Sequence, residues 1–73
     1  MPRYFFVVQW PGVEVDDPQG TLLPHDAAAI AFAERCIREI KEDKSLADPS
    51  MAMIVKREAF GTVLTIPFFP GNA

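Results

Sequence analysis

Three groups of residues have side chains suited to a reaction or a metal: His25, Cys36, and the acidic cluster Glu14, Asp16 and Asp17. A nucleophilic centre needs a nucleophile, a base, and a group that orients the base. The chain holds one histidine and one cysteine, and it has no G-x-S-x-G, H-E-x-x-H or phosphate-binding loop. His25 has no second metal ligand at helical spacing, so it reads as a loop or cap residue ahead of a helix. Cys36 falls on an apolar arc, where burial raises a thiol's pKa and leaves it inert. A lone cysteine also excludes an intrachain disulfide and a cysteine-based zinc site. Glu14 and Asp16 share a face of a short strand, and Asp17 opens a turn. A hard cation such as Ca²⁺ could sit there, but a Ca²⁺ loop supplies more oxygens at regular spacing. A solvated strand end followed by a turn is the better reading. No catalytic residue, cofactor or metal is therefore expected.

The aromatic cluster Tyr4, Phe5, Phe6 and Trp10 invites comparison with platforms that stack bases. Such platforms carry flanking cations, and this strand offers only Arg3. Seven Lys/Arg against ten Asp/Glu give a net charge of −3, which disfavours a nucleic-acid partner. The longest apolar run, Ala27 to Ala33, is far short of the roughly 20 residues of a membrane span. The N-terminus lacks the pattern of a signal peptide. A cytoplasmic protein with no membrane and no nucleic-acid partner is expected. With 73 residues, residues 1–73 have room for one small domain. Folding at this size removes only roughly 60% of the unfolded chain's surface, so stability is marginal.

Pro and Gly divide the chain into five segments. Arg3 to Trp10 is rich in aromatic and β-branched residues and reads as a strand that is apolar on both faces. Tyr4, Phe6, Val8 and Trp10 share one face; Phe5, Val7 and Gln9 share the other. Pro11-Gly12 turns the chain into a short return strand, Val13 to Asp16. In the turn Asp17-Pro18-Gln19-Gly20, the Asp17 carboxylate can fold onto the amides ahead of it, and Gly20 suits a positive φ. A helix follows, with Asp26 expected as its N-cap and its end near Asp43 or Lys44. Ala29, Ile30, Phe32, Ala33, Cys36, Ile37 and Ile40 fall within an arc of about 160°. Glu34–Arg38 and Arg35–Glu39 stand at i,i+4 on the solvated side. After a polar connection, Ser45 to Ser50, a third strand (Met51 to Arg57), a turn and a fourth strand (Thr62 to Phe68) complete the chain. Pro67 cannot donate to a ladder, which places that end at an edge or past the pairing. The expected fold class is α+β: a ββαββ two-layer sandwich, with a four-stranded, mainly antiparallel sheet of order 2-1-3-4 and one amphipathic helix on one face.

The opening Met1-Pro2-Arg3-Tyr4-Phe5-Phe6-Val7-Val8, the segment Asp16 to Pro24 and the Ala-rich helix are distinctive together. With the Gly61 hairpin and the closing Val63 to Phe68, they make the chain resemble a family of small bacterial proteins that start M-P-R-Y-F-F. That family is catalogued as a domain of unknown function. The resemblance implies a stand-alone ββαββ protein with no known catalytic residues to carry over. Members often have His or Asp after Y-F-F; Val7 stands there in this chain, so chemistry at that side chain is absent.

One helix covers one face of a sheet, yet the first strand is apolar on both. Whichever of Tyr4, Phe6, Val8 and Trp10 or Phe5 and Val7 faces away from the helix is left without an intrachain cover. Tyr4, Phe6, Val8, Trp10 and Phe68 are the candidate interface residues, with Met51, Met53, Val55, Leu64 and Ile66 extending the row. A large apolar patch on a small protein marks an interface, and a homodimer is the commonest closure. The rival is a monomer in which the Phe68-Phe69-Pro70 tail folds over the open face. The expected function is a non-enzymatic, self-associating interaction or structural module. The alternative is an antitoxin-like protein whose acidic balance neutralises a basic protein partner. An enzyme or metal protein built on Glu14, Asp16 and Asp17 ranks third.

Overall fold

The eight residues Arg3–Trp10 form strand β1, and their two apolar faces place them inside a sheet rather than at its rim. In the computed structural model, residues 1–43 and 48–69 are described. Strand β1 is followed by β2 (Val13–Val15), β3 (Thr21–Leu22), α1 (Asp26–Glu42), β4 (Ala52–Arg57) and β5 (Gly61–Pro67). The order across the sheet is β2-β1-β4-β5, with β3 also paired to β1. Every pairing is antiparallel. The protein is thus an α+β fold, one helix on an open antiparallel sheet.

The difference from ββαββ is β3. Its two residues pair with Arg3 and Tyr4, within a stretch that reads as turn and loop because a two-residue strand has no periodicity to detect. The expected helix end at Lys44, residues 45–47 of the polar connection and the tail from Pro70 onward lie outside the described residues.

Register decides which face meets the helix. Tyr4, Phe6 and Val8 stand opposite Arg57, Val55 and Met53, and this is the face that α1 covers. The core comprises Tyr4, Phe6, Ala29, Ala33, Ile37, Met51, Met53, Val55 and Phe68. Three small or medium residues of α1, Ala29, Ala33 and Ile37, are its buried stripe. Alanine at two of these positions removes side-chain bulk and lets the helix lie close to large β1 and β4 side chains.

This placement corrects the expected interface. Tyr4 and Phe68 are 0% exposed and Phe6 is 9% exposed within the single chain, while Val8 and Trp10 are half-buried against the same core. None of the five forms an uncovered row, because the helix takes their face. The opposite face carries Phe5 and Val7 across from Lys56 and Ile54, and Val7 is itself buried. Phe68 packs in the core with Ala33 and Ile37, and the Lys41 ammonium of α1 lies over the Phe69 ring, so the described end of the chain turns beneath α1, not over the open face.

Three smaller expectations also change. His25, not Asp26, caps the helix: its Nδ1 accepts from the Ala28 amide at 3.1 Å, because the Asp26 carboxylate is engaged elsewhere. The pairs Glu34–Arg38 and Arg35–Glu39 do not close. Among the described residues the ion pair present is Arg57–Asp26, and the Arg35 guanidinium instead lies 5.3 Å from the centre of the Phe32 ring. Ile40, expected in the core, is half-buried, whereas Ile37 is buried. A 17-residue helix over a twisted sheet diverges from it near the ends. Accordingly, Ile37→Ala should cost about 2–4 kcal/mol and Ile40→Ala roughly half as much. Chemical denaturation of the two variants checks this; equal losses would contradict the helix placement.

Candidate functional site

The Tyr4 ring is buried, so its hydroxyl needs a partner. It donates to Asp26 Oδ1 at 2.5 Å, and Arg57 Nη1 donates to the same oxygen at 3.1 Å. The guanidinium of Arg57 also lies 4.3 Å from the Phe60 ring centre. One carboxylate oxygen thus joins β1, the first turn of α1 and the end of β4. Burial, then the hydrogen bond to Asp26, raises the Tyr4 pKa. The Tyr4 hydroxyl foremost, with Arg57 assisting, holds the Asp26 carboxyl below its usual range. These groups satisfy one another, and the arrangement is structural.

A second carboxylate finishes the outer edge of β1. Strand β2 pairs with Val8 to Trp10 and β3 with Arg3 and Tyr4, leaving a gap between them. Asp17 fills it: Oδ2 accepts from the Phe6 amide (3.1 Å) and Oδ1 from the Gly20 amide (3.2 Å). Gly20 has φ +69°, and a Cβ there would meet Tyr4 O, Arg3 Cγ and Phe5 Cε1, each at 2.8 Å. Both Asp17 oxygens are therefore committed to backbone amides, while Glu14 and Asp16 are exposed. Cys36 is half-buried, and burial, followed by Glu39, raises its thiol pKa.

The opposite rim of the sheet is built differently. Among the described residues no strand pairs with the outer side of β5. All seven residues of β5, GTVLTIP, are uncharged. A bulge at Val63, the extra residue between the pairs Val55–Leu64 and Lys56–Thr62, is its one irregularity. Leu64 is 39% exposed. Beside β5 runs a groove of about 380 Å³ lined by Glu34, Ile37, Arg38, Lys41, Ile66, Pro67 and Phe68. The Lys41 ammonium lies 4.8 Å from the Phe69 ring centre.

The sequence singles out Asp17, Gly20 and the β1 aromatics and, through Pro67 and the order 2-1-3-4, puts the last strand at an edge, but it does not mark that edge as a binding surface. The clue available was the absence of charge from Thr62 to Pro67. Asp26 and Arg57 were also missed as partners of Tyr4, since 22 and 31 residues separate the bonded pairs.

Two outcomes test these contacts. Gly20→Ala should cost about 1–3 kcal/mol through its left-handed backbone and the Tyr4 carbonyl; an unchanged denaturation midpoint would contradict it. The second is a pH profile. Asp26 has a lowered folded pKa, so its contribution is present above the unfolded value of about 3.9 and is lost as pH falls through the folded value. Tyr4 has a raised folded pKa, so its contribution is present below about pH 10 and is lost as pH rises through the folded value. Thermal melts should therefore show Tyr4→Phe less stable than the native chain near neutrality. That deficit should shrink at both extremes, and a constant deficit across the pH range would contradict the assignment.

No helix among the described residues is long and apolar enough to cross a membrane. No curated protein and no solved structure matches the chain. The model of one family, the domain of unknown function DUF6894, matches residues 3–69, from the first residue of β1 to the Phe69 that follows β5. The chain belongs to the DUF6894 family.

Proposed function

We propose that this protein is a non-enzymatic interaction module that self-associates through strand addition at β5. The observation that carries this reading is the contrast between the two rims. Proteins guard sheet edges with short strands, charges and plugs, because unpaired N–H and C=O groups recruit further strands. The β2/β3 rim has all three: strands of three and two residues, the acidic Glu14 and Asp16, and the Asp17 plug on the Phe6 amide. The β5 rim has seven uncharged residues in a row, and its guards are limited to the bulge at Val63 and Pro67 at its last position. A two-fold axis beside β5 would pair it antiparallel with the β5 of a second copy, an isologous contact. Pairing would bury the exposed Leu64 and add core that a chain of this size lacks.

The alternative, neutralisation of a basic partner, is supported only by the net charge of −3. The groove beside β5 carries Arg38 and Lys41, which argues against a basic segment at that place.

Sedimentation at micromolar concentration tests the proposal. A mass of twice 8.1 kDa is expected, and Thr65→Lys should return the protein to the monomer by setting like charges together at the shared edge. A single-chain mass at every concentration would overturn self-association.

A further inference from the structure

We propose that the groove between α1 and β5 binds an extended acidic segment of a partner protein, laid along β5 as an added strand. The inference rests on the reading of β5 as an edge open to strand addition, and it adds the chemistry of the occupant. Strand-addition sites divide their work: the edge supplies main-chain hydrogen bonds, and adjacent pockets read alternate side chains. Both parts are present here. The outer side of β5 has no strand partner among the described residues. The groove beside it, about 380 Å³, falls within the size range of ligand pockets.

The groove's lining defines what fits. Ile66 and Pro67 contribute apolar surface over the buried Ile37 and Phe68, and Glu34, Arg38 and Lys41 stand on the helix side. Arg38 and Lys41 have no ion-pair partner among the described residues. The Lys41 ammonium is held near the Phe69 ring, which orders it without neutralising it. The two cations lie one turn apart on α1, beyond Glu34 towards the helix C-terminus, so one end of the groove is positive. A strand whose side chains alternate would seat an apolar residue against Ile66 and Pro67. An acidic residue further along would then meet Arg38 and Lys41. A second copy of β5 has no charged side chain to offer them, so the cations distinguish a foreign segment from self-pairing.

The test uses a short fluorescein-labelled peptide that alternates valine with threonine and carries glutamate near both ends. Its control replaces each glutamate with lysine. Fluorescence anisotropy should show the glutamate peptide binding about tenfold more tightly, the size expected from two partly solvated charge contacts. The double variant Arg38→Glu, Lys41→Glu should reverse the preference, with circular dichroism verifying that the helix is retained. Amide chemical shifts should move along β5 and the facing turns of α1. Failure of both peptides to bind, equal affinities, or a preference untouched by the double variant would each overturn the proposal. Sedimentation without peptide reads self-association separately. Because a β5–β5 dimer would occupy the same edge, anisotropy is read at a dilution where sedimentation shows the monomer. A chain monomeric at every concentration that binds the glutamate peptide refutes only the dimer, and a diluted monomer that binds neither peptide refutes the groove.

Discussion

The contact on which the rest of the structure depends is the Tyr4 hydroxyl against Asp26, shared with Arg57. Strand β1 is apolar on both faces, so hydrophobicity alone gives α1 no reason to choose one. The phenol breaks that tie. On the chosen face its polar end reaches the first turn of the helix, where a carboxylate already favours the positive end of the helix dipole. Turned the other way, Tyr4 would leave Asp26 and Arg57 without it. Once this end is set, Phe6 meets Phe32 with ring centres 4.8 Å apart. Val55 and Met53 follow by register, and Phe68 closes the far end beneath Ile37.

The same choice determines what remains for partners. The large side chains of the even face of β1 are used within the chain. What is left exposed is not a broad apolar face but the two rims of the sheet. One rim is closed by a device: Asp17 accepts the Phe6 amide where neither β2 nor β3 reaches, and Gly20 permits the tight approach that brings the loop there. The other rim is a long uncharged strand beside a groove with two cations. A chain needing only a monomeric fold would gain from a lysine or a proline in the middle of β5. Its only proline stands at the last position, Pro67, where it blocks least.

Much of the fold was legible in the sequence. Aromatic and β-branched runs marked β1, β4 and β5, the arc from Ala29 to Ile37 marked the buried side of α1, and the expected order 2-1-3-4 agrees with the observed β2-β1-β4-β5. What was not legible has identifiable causes. Two residues are too few to show a period, so β3 passed as loop. Periodicity gives β1 two faces but not which one a helix covers, so it leaves both open as an interface; register and burial put Tyr4 and Phe6 in the core and turn Phe5 and Val7 away from the helix. His25 took the cap because Asp26 was drawn into a contact with Tyr4 and Arg57, residues distant in sequence and adjacent only through register. The Asp17-Pro18-Gln19-Gly20 pattern displayed a turn, but not that its carboxylate would also plug a sheet edge. The edge position of β5 did follow from the expected strand order; the groove beside it did not, because it is made by α1 and β5 residues distant in sequence.

Hydrogen exchange of the β5 amides as a function of protein concentration tests the central claim most directly. Alternate β5 amides bond to β4 and the others point outward. If the rim is open in the monomer and closed by strand addition, the outward amides exchange rapidly in dilute solution and become protected as concentration rises, while the amides bonded to β4 do not change. Outward amides protected equally at every dilution would show that the chain covers its own edge, and outward amides that stay rapid at high concentration would show that nothing adds to it; either result contradicts the account.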